Sequence, residues 1–65
     1  MIQVNKRDFD WWKGMTIQSL LDAKRYTFRM IIVKVNGKVV PKDQYAMFPI
    51  HDGDNVDVIH LMGGG

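Results

Sequence analysis

The sequence predicts an α+β domain in which a mixed sheet of four to five strands packs on a single helix. Three observations lead there. Apolar and polar residues alternate at both ends of the chain, a β-branched run in the middle ends at Asn36-Gly37, and one short segment carries helical spacing. Two strand pairs on either side of one helix imply a sheet that grips the helix, with the last strand beside the first.

The elements follow in chain order. Ile2 and Val4 alternate with polar neighbours and read as a short half-buried strand over residues 2–5. Lys6-Arg7-Asp8 reads as a turn, and Phe9 and Trp11 alternate with Asp10 as a second strand. Gly14 breaks that pattern. Thr16 can cap a helix by accepting from the backbone N–H of Ser19. Ile17, Leu20 and Leu21 then fall at i, i+3, i+4 and form one apolar stripe, and Lys24 and Arg25 suit the negative end of the helix dipole. Residues 30–36 read as strand, with Ile31, Val33 and Val35 on one face and Met30, Ile32 and Lys34 on the other. Both residues of Asn36-Gly37 tolerate positive φ, a strong hairpin signal. Lys38, Val39 and Val40 return, and Pro41 ends the strand by lacking a ladder donor. Residues 43–48 form an irregular or single helical turn, Asp52-Gly53-Asp54 a tight turn. Residues 55–61 alternate again, with Val56 and Val58 inward.

Composition bounds what such a chain does. Its 65 residues are 46% apolar and 25% charged, with no cysteine. One domain fits that length, and a chain so short hides only about 60% of its unfolded surface. A self-contained enzyme with a deep pocket is not favoured. Disulfides and cysteine-ligated zinc are excluded. The longest apolar run covers residues 30–33, far below the roughly 20 needed to cross a membrane. Lys6, Arg7, Asp8 and Asp10 interrupt any signal-peptide core. The expectation is a soluble cytoplasmic protein with no membrane partner.

The net charge of +2 hides an asymmetry. Residues 1–42 hold all nine Lys and Arg against three Asp, net +6; residues 43–65 hold four Asp and no Lys or Arg, net −4. The cations do not run together, so nucleic acid is not expected as a partner. The acidic third points to a basic partner for that end. On the last strand, Asp57, Ile59 and Leu61 face away from the core, and Ile32 shares their face. Together Ile32, Ile59 and Leu61 predict an exposed apolar patch leading to the C-terminus. Scattered exposed apolar residues are ordinary, but their nearness to the tail favours a docking surface. Met62 follows, an unbranched side chain able to fit a partner groove.

The chain ends Gly63-Gly64-Gly65. Three residues without Cβ make a narrow, extended segment able to thread a tight tunnel and present the Gly65 carboxylate away from the fold. Taken alone, such a tail reads as a frayed terminus or a cloning remnant. His51 and His60, with Asp52 and Asp54 near the first, match no metal-ligand spacing, and Asp52-Gly53-Asp54 lacks the rest of a calcium loop. No histidine is placed to activate Thr16, Ser19 or Thr27. Phosphate-binding glycine loops are absent, so any ATP belongs to a partner.

Larger motifs carry a resemblance. Val35-Asn36-Gly37-Lys38-Val39-Val40-Pro41 resembles the central hairpin of the ThiS family of thiamine-biosynthesis sulfur carriers. Asp52-Gly53-Asp54-Asn55-Val56-Asp57-Val58-Ile59-His60 followed by Gly63-Gly64-Gly65 resembles its last turn, last strand and tail. Gly14-Met15-Thr16-Ile17 with Leu20-Leu21 resembles the start of its helix. The resemblance implies a ubiquitin-like β-grasp fold over residues 1–62 and a flexible glycine tail over residues 63–65. It also implies a carrier that is not itself an enzyme and holds no cofactor. An E1-like adenylating enzyme of the ThiF type would activate Gly65 with ATP, and a sulfur donor such as a cysteine desulfurase would convert the adenylate to a thiocarboxylate. Thiazole synthase of the ThiG type would then take the sulfur. Gly65 would be the modified residue, with Gly63 and Gly64 as the threaded neck. Trp11-Trp12 is bulkier than the family's approach to the helix; one ring is expected to pack on the helix and the other to be exposed. Rival readings are a molybdopterin-type sulfur carrier, a β-grasp protein- or RNA-interaction module, and a protein-conjugating modifier.

Overall fold

The computed structural model describes residues 1–26 and 30–61. Five strands form one mixed sheet: β1 (Ile2–Val4), β2 (Arg7–Phe9), β3 (Ile31–Val35), β4 (Lys38–Val40) and β5 (Asn55–His60). Their spatial order is β2, β1, β5, β3, β4. The last strand therefore lies at the centre, parallel to β1 and antiparallel to β3. Helix α1 (Ile17–Ala23) buries Ile17, Leu20 and Leu21 against the inner face. They meet Ile2, Val4, Val33, Val56 and Val58, all nearly inaccessible. Each such side chain contributes about 1.5–3 kcal/mol on burial, and no charged side chain among the described residues is buried with them.

The helix begins and ends by local chemistry. Thr16 accepts from the Ser19 N–H at 3.2 Å while the Ser19 hydroxyl accepts from the Thr16 N–H at 2.8 Å, a reciprocal cap built with serine where glutamate is usual. At the far end Arg25 turns left-handed (φ 56°), the Arg25 N–H donates to Asp22 O, and the Tyr26 N–H donates to Leu21 O. That pair of bonds satisfies the last carbonyls as a glycine-terminated helix would, with arginine in the strained position.

The first hairpin differs from the sequence reading. β2 spans Arg7–Phe9, and the turn is Asn5-Lys6 with φ of 52° and 66°, so Lys6-Arg7-Asp8 is not the turn and Trp11 lies beyond the strand. Pairing of Ile2 with Phe9 and Val4 with Arg7 leaves only two residues to reverse the chain, which demands positive φ at both. Asn5 also receives the Val58 N–H on its side-chain oxygen at 2.8 Å, a contact 53 residues away in sequence. The second hairpin turns at Asn36-Gly37 as read, and Lys42–Gln44 forms a single 3-10 turn within the loop that follows β4. Trp11 is half-buried against the core and donates its indole N–H to Ile50 O at 2.7 Å, whereas Trp12 is exposed. Tyr45 lies in the core, and its burial pushes the phenol above its ordinary value, against a smaller opposing effect of the Val33 backbone.

Candidate functional site

β5 is the element that leads to the C-terminus, and its outward residues organise the outer face into rows. Strand register aligns Asp8 with Gln3 and Gln3 with Asn55 in the row farthest from the C-terminus. Asp57 stands opposite Lys34, and Lys34 opposite Val39, in the next. Ile59 stands opposite Ile32, and beyond them the Leu61 N–H donates to Met30 O at 2.9 Å. Polar, charged and apolar rows thus follow one another toward the tail.

The apolar rows form a patch. Ile59 is 41% exposed and Leu61 44%, values large enough for a partner to gain by covering them. Met30 and Val39, exposed on the same face, extend it. Ile32 lies on that face opposite Ile59 but is half-buried. Met62, Gly63, Gly64 and Gly65 lie outside the described residues, and with them the reading of a flexible tail.

His60 does not reach the core as an inward position would. It is exposed where α1 no longer covers the sheet, with its ring edge-on to Tyr26 at 5.5 Å between centroids. The Lys24 ammonium lies 5.2 Å from the Phe9 ring centre and 5.7 Å from that of Tyr26. The contact of Tyr26 with His60 ties the helix C-terminus to the end of β5, and Lys24 over Phe9 ties it to β2.

Two of the four carboxylates in the acidic third, Asp52 and Asp54, are engaged within the fold. Asp54 accepts from the His51 N–H at 2.9 Å and from the Asn36 side-chain amide at 3.0 Å. Asn36 in turn accepts the Asn55 N–H at 2.9 Å. Asp52 pairs with the Met1 amine. Both carboxylates precede β5, so the strand's length separates them from the patch, and they act within the fold. Sequence reasoning missed this use of Asn5, Asn36 and Asp54. The only available signal was asparagine in turn positions, which says nothing of a distant acceptor. His51 Nδ1 lies 3.9 Å from Asp54 on the surface, and no group of three His, Cys, Asp or Glu among the described residues could hold a metal ion.

Comparison with known proteins places this arrangement. The model of the ThiS family matches residues 2–65. The chain belongs to the ThiS family. It is 33% identical over 66 residues to the sulfur carrier protein ThiS of Bacillus subtilis, across the whole of both chains. It is also 31% identical to a thiazole synthase of Paramagnetospirillum magneticum, over 95% of this chain but 19% of that protein. Among solved structures, a thiamine biosynthesis protein ThiS from Geobacter metallireducens superposes with a TM-score of 0.82 at 27% identity, covering 98% of this chain and 97% of that one. The five-stranded mixed sheet around one helix is thus the β-grasp architecture of a ThiS protein.

Proposed function

We propose that this sulfur carrier of thiamine biosynthesis works through its C-terminal glycine, as a cosubstrate and not as an enzyme. The observation that carries the reading is the position of β5. The strand that runs toward Gly63-Gly64-Gly65 is the central strand of the sheet, and it carries Ile59 and Leu61 outward just before the tail. A central strand is bonded to neighbours on both sides, so a partner can engage the tail without peeling an edge from the sheet.

A free carboxylate is a poor acyl donor. Attack of the Gly65 carboxylate on the α-phosphorus of ATP, with loss of pyrophosphate, makes an acyl-adenylate in the pocket of an E1-like adenylating enzyme of the ThiF type. Sulfide attack at the acyl carbon then forms the C–S bond and breaks the C–O bond to AMP. Sulfur arriving as a cysteine desulfurase persulfide gives an acyl disulfide first, and a thiol supplies the two electrons that release the thiocarboxylate. Ile32, Ile59, Leu61 and Met62 dock the partners, while Gly63 and Gly64 pass through the narrow channel. Thiazole synthase receives the sulfur, a partnership supported by the relative in which a carrier-like stretch forms part of a thiazole synthase chain. That relative also favours the thiamine pathway over the molybdopterin one. Among the described residues no helix is long and apolar enough to cross a membrane, and the reactions belong to the cytoplasm.

The test is an intact mass after incubation with host extract, ATP and cysteine, followed by thiol alkylation. Replacing oxygen by sulfur adds about 16 mass units, which oxidation of methionine mimics, so the alkyl adduct decides. The chain has no cysteine. An adduct mapped to Gly65 is the expected outcome; its absence, in extract that charges a control carrier, refutes the mechanism. A Gly64→Val chain should lose ATP–pyrophosphate exchange about a hundredfold, since a branched Cβ obstructs the channel.

A further inference from the structure

We propose that the charged row bordering the apolar patch is a recognition collar for an acidic surface on thiazole synthase, with Lys6 and Lys34 as its contacts. This rests on the reading that the outer face docks that enzyme.

Lys6 is presented by the β1/β2 turn, whose neighbour Asn5 is bonded to the Val58 N–H. Lys34 is presented by β3, directly opposite Asp57. Asn5, Lys6, Lys34, Asp57 and Ile59 together line a shallow concavity of about 390 Å³. Ile59 belongs both to this concavity and to the patch, so the two surfaces are continuous. The concavity holds two cations and one anion, and none of the three makes an ion pair within the described residues. Asp8 on β2 stands in the Gln3 row, farther from the patch. Asp52 and Asp54 are engaged before β5 begins. The border of the patch is therefore net positive although the strand behind it comes from the acidic third of the sequence.

A positive border favours approach of carboxylates, and charges at an interface rim act mainly on association rate and partner choice. The complementary surface carries Asp or Glu beside an apolar contact for Ile59. Asp57 offsets part of the attraction, and this sets the sign of the test. The sequence alone pointed to a basic partner, for which Asp57 would be an attractive contact.

Binding of the full chain to purified thiazole synthase from the same genome is measured at low and high salt, with thermal melts confirming that each variant folds. Lys6→Gln and Lys34→Gln should each weaken binding about threefold to tenfold at low salt, and Asp57→Asn should tighten it about twofold. These differences should shrink at high salt. Weaker binding by Asp57→Asn, or lysine variants that bind like the parent, overturns the collar. Leu61→Asp separates the two readings. If the parent binds, Leu61→Asp does not, and the lysines are silent, the docking face stands and the collar falls. If the parent itself does not bind, the partner assignment fails and the collar with it.

Discussion

β5 is held along its length by two asparagine side chains, one on each side, and leaves the sheet beside an exposed apolar face. Where β5 begins, Asn36 ties the β3/β4 hairpin to Asn55 and Asp54, and past its middle Asn5 ties the β1/β2 hairpin to Val58. Each asparagine is the first residue of a two-residue turn with positive φ, so one side chain both permits the turn and joins it to the central strand. In the second half, pairing with β1 has ended at Val56, while β3 accompanies the strand through His60. Asparagine hydrogen bonds hold the strand on both sides as far as Val58, and apolar surface is left uncovered from Ile59 onward. The difference shows how a very small domain can be rigid and still present a sticky surface: the asparagine amides are engaged within the sheet as far as Val58, and the exposed apolar side chains lie just beyond it.

The comparison breaks most visibly at Asp54. Asp54→Ala leaves the Asn36 amide and the His51 N–H without their acceptor, and should lower stability by about 1–3 kcal/mol in a denaturant titration. Docking to partners by the remaining folded protein should be unchanged; a parallel loss of affinity would mean that the locked end also contacts partners. Ile59→Asp should do the reverse. Its side chain is already 41% exposed, so the melting temperature should hardly move, whereas affinity for the adenylating enzyme should fall about tenfold. A stability loss as large as that of a core variant would show that the position is not free for docking. The smallest effect concerns pH. Burial raises the Tyr45 phenol above its ordinary value, so the unfolded chain releases that proton first. The stabilisation is complete below a pH of about 10 and is lost as pH rises through the folded value. Tyr45→Phe should flatten the alkaline decline measured by chemical denaturation.

Much of the fold was legible because its signals are local. Thr16 three residues before Ser19, apolar spacing at Ile17, Leu20 and Leu21, and Asn36-Gly37 between β-branched runs each act over a few residues. The first turn was misplaced because Lys6 at positive φ has no local signature; only pairing of Val4 with Arg7 requires it. The outward positions of Ile59 and Leu61 followed from the two-residue period of a strand. Ile32 shares that period and pairs with Ile59, but its half-burial is not written in the period.

The sequence by itself determined the element types, the inward Val56 and Val58, the family and the glycine tail, because each is written in short-range pattern. Only the tertiary structure decided that Asn5 meets Val58 from 53 residues away, that Asp54 serves the fold, and that Lys6 and Lys34 flank Asp57 beside the patch. Strand order and register bring those groups together, and both are set by how the whole sheet closes over one core.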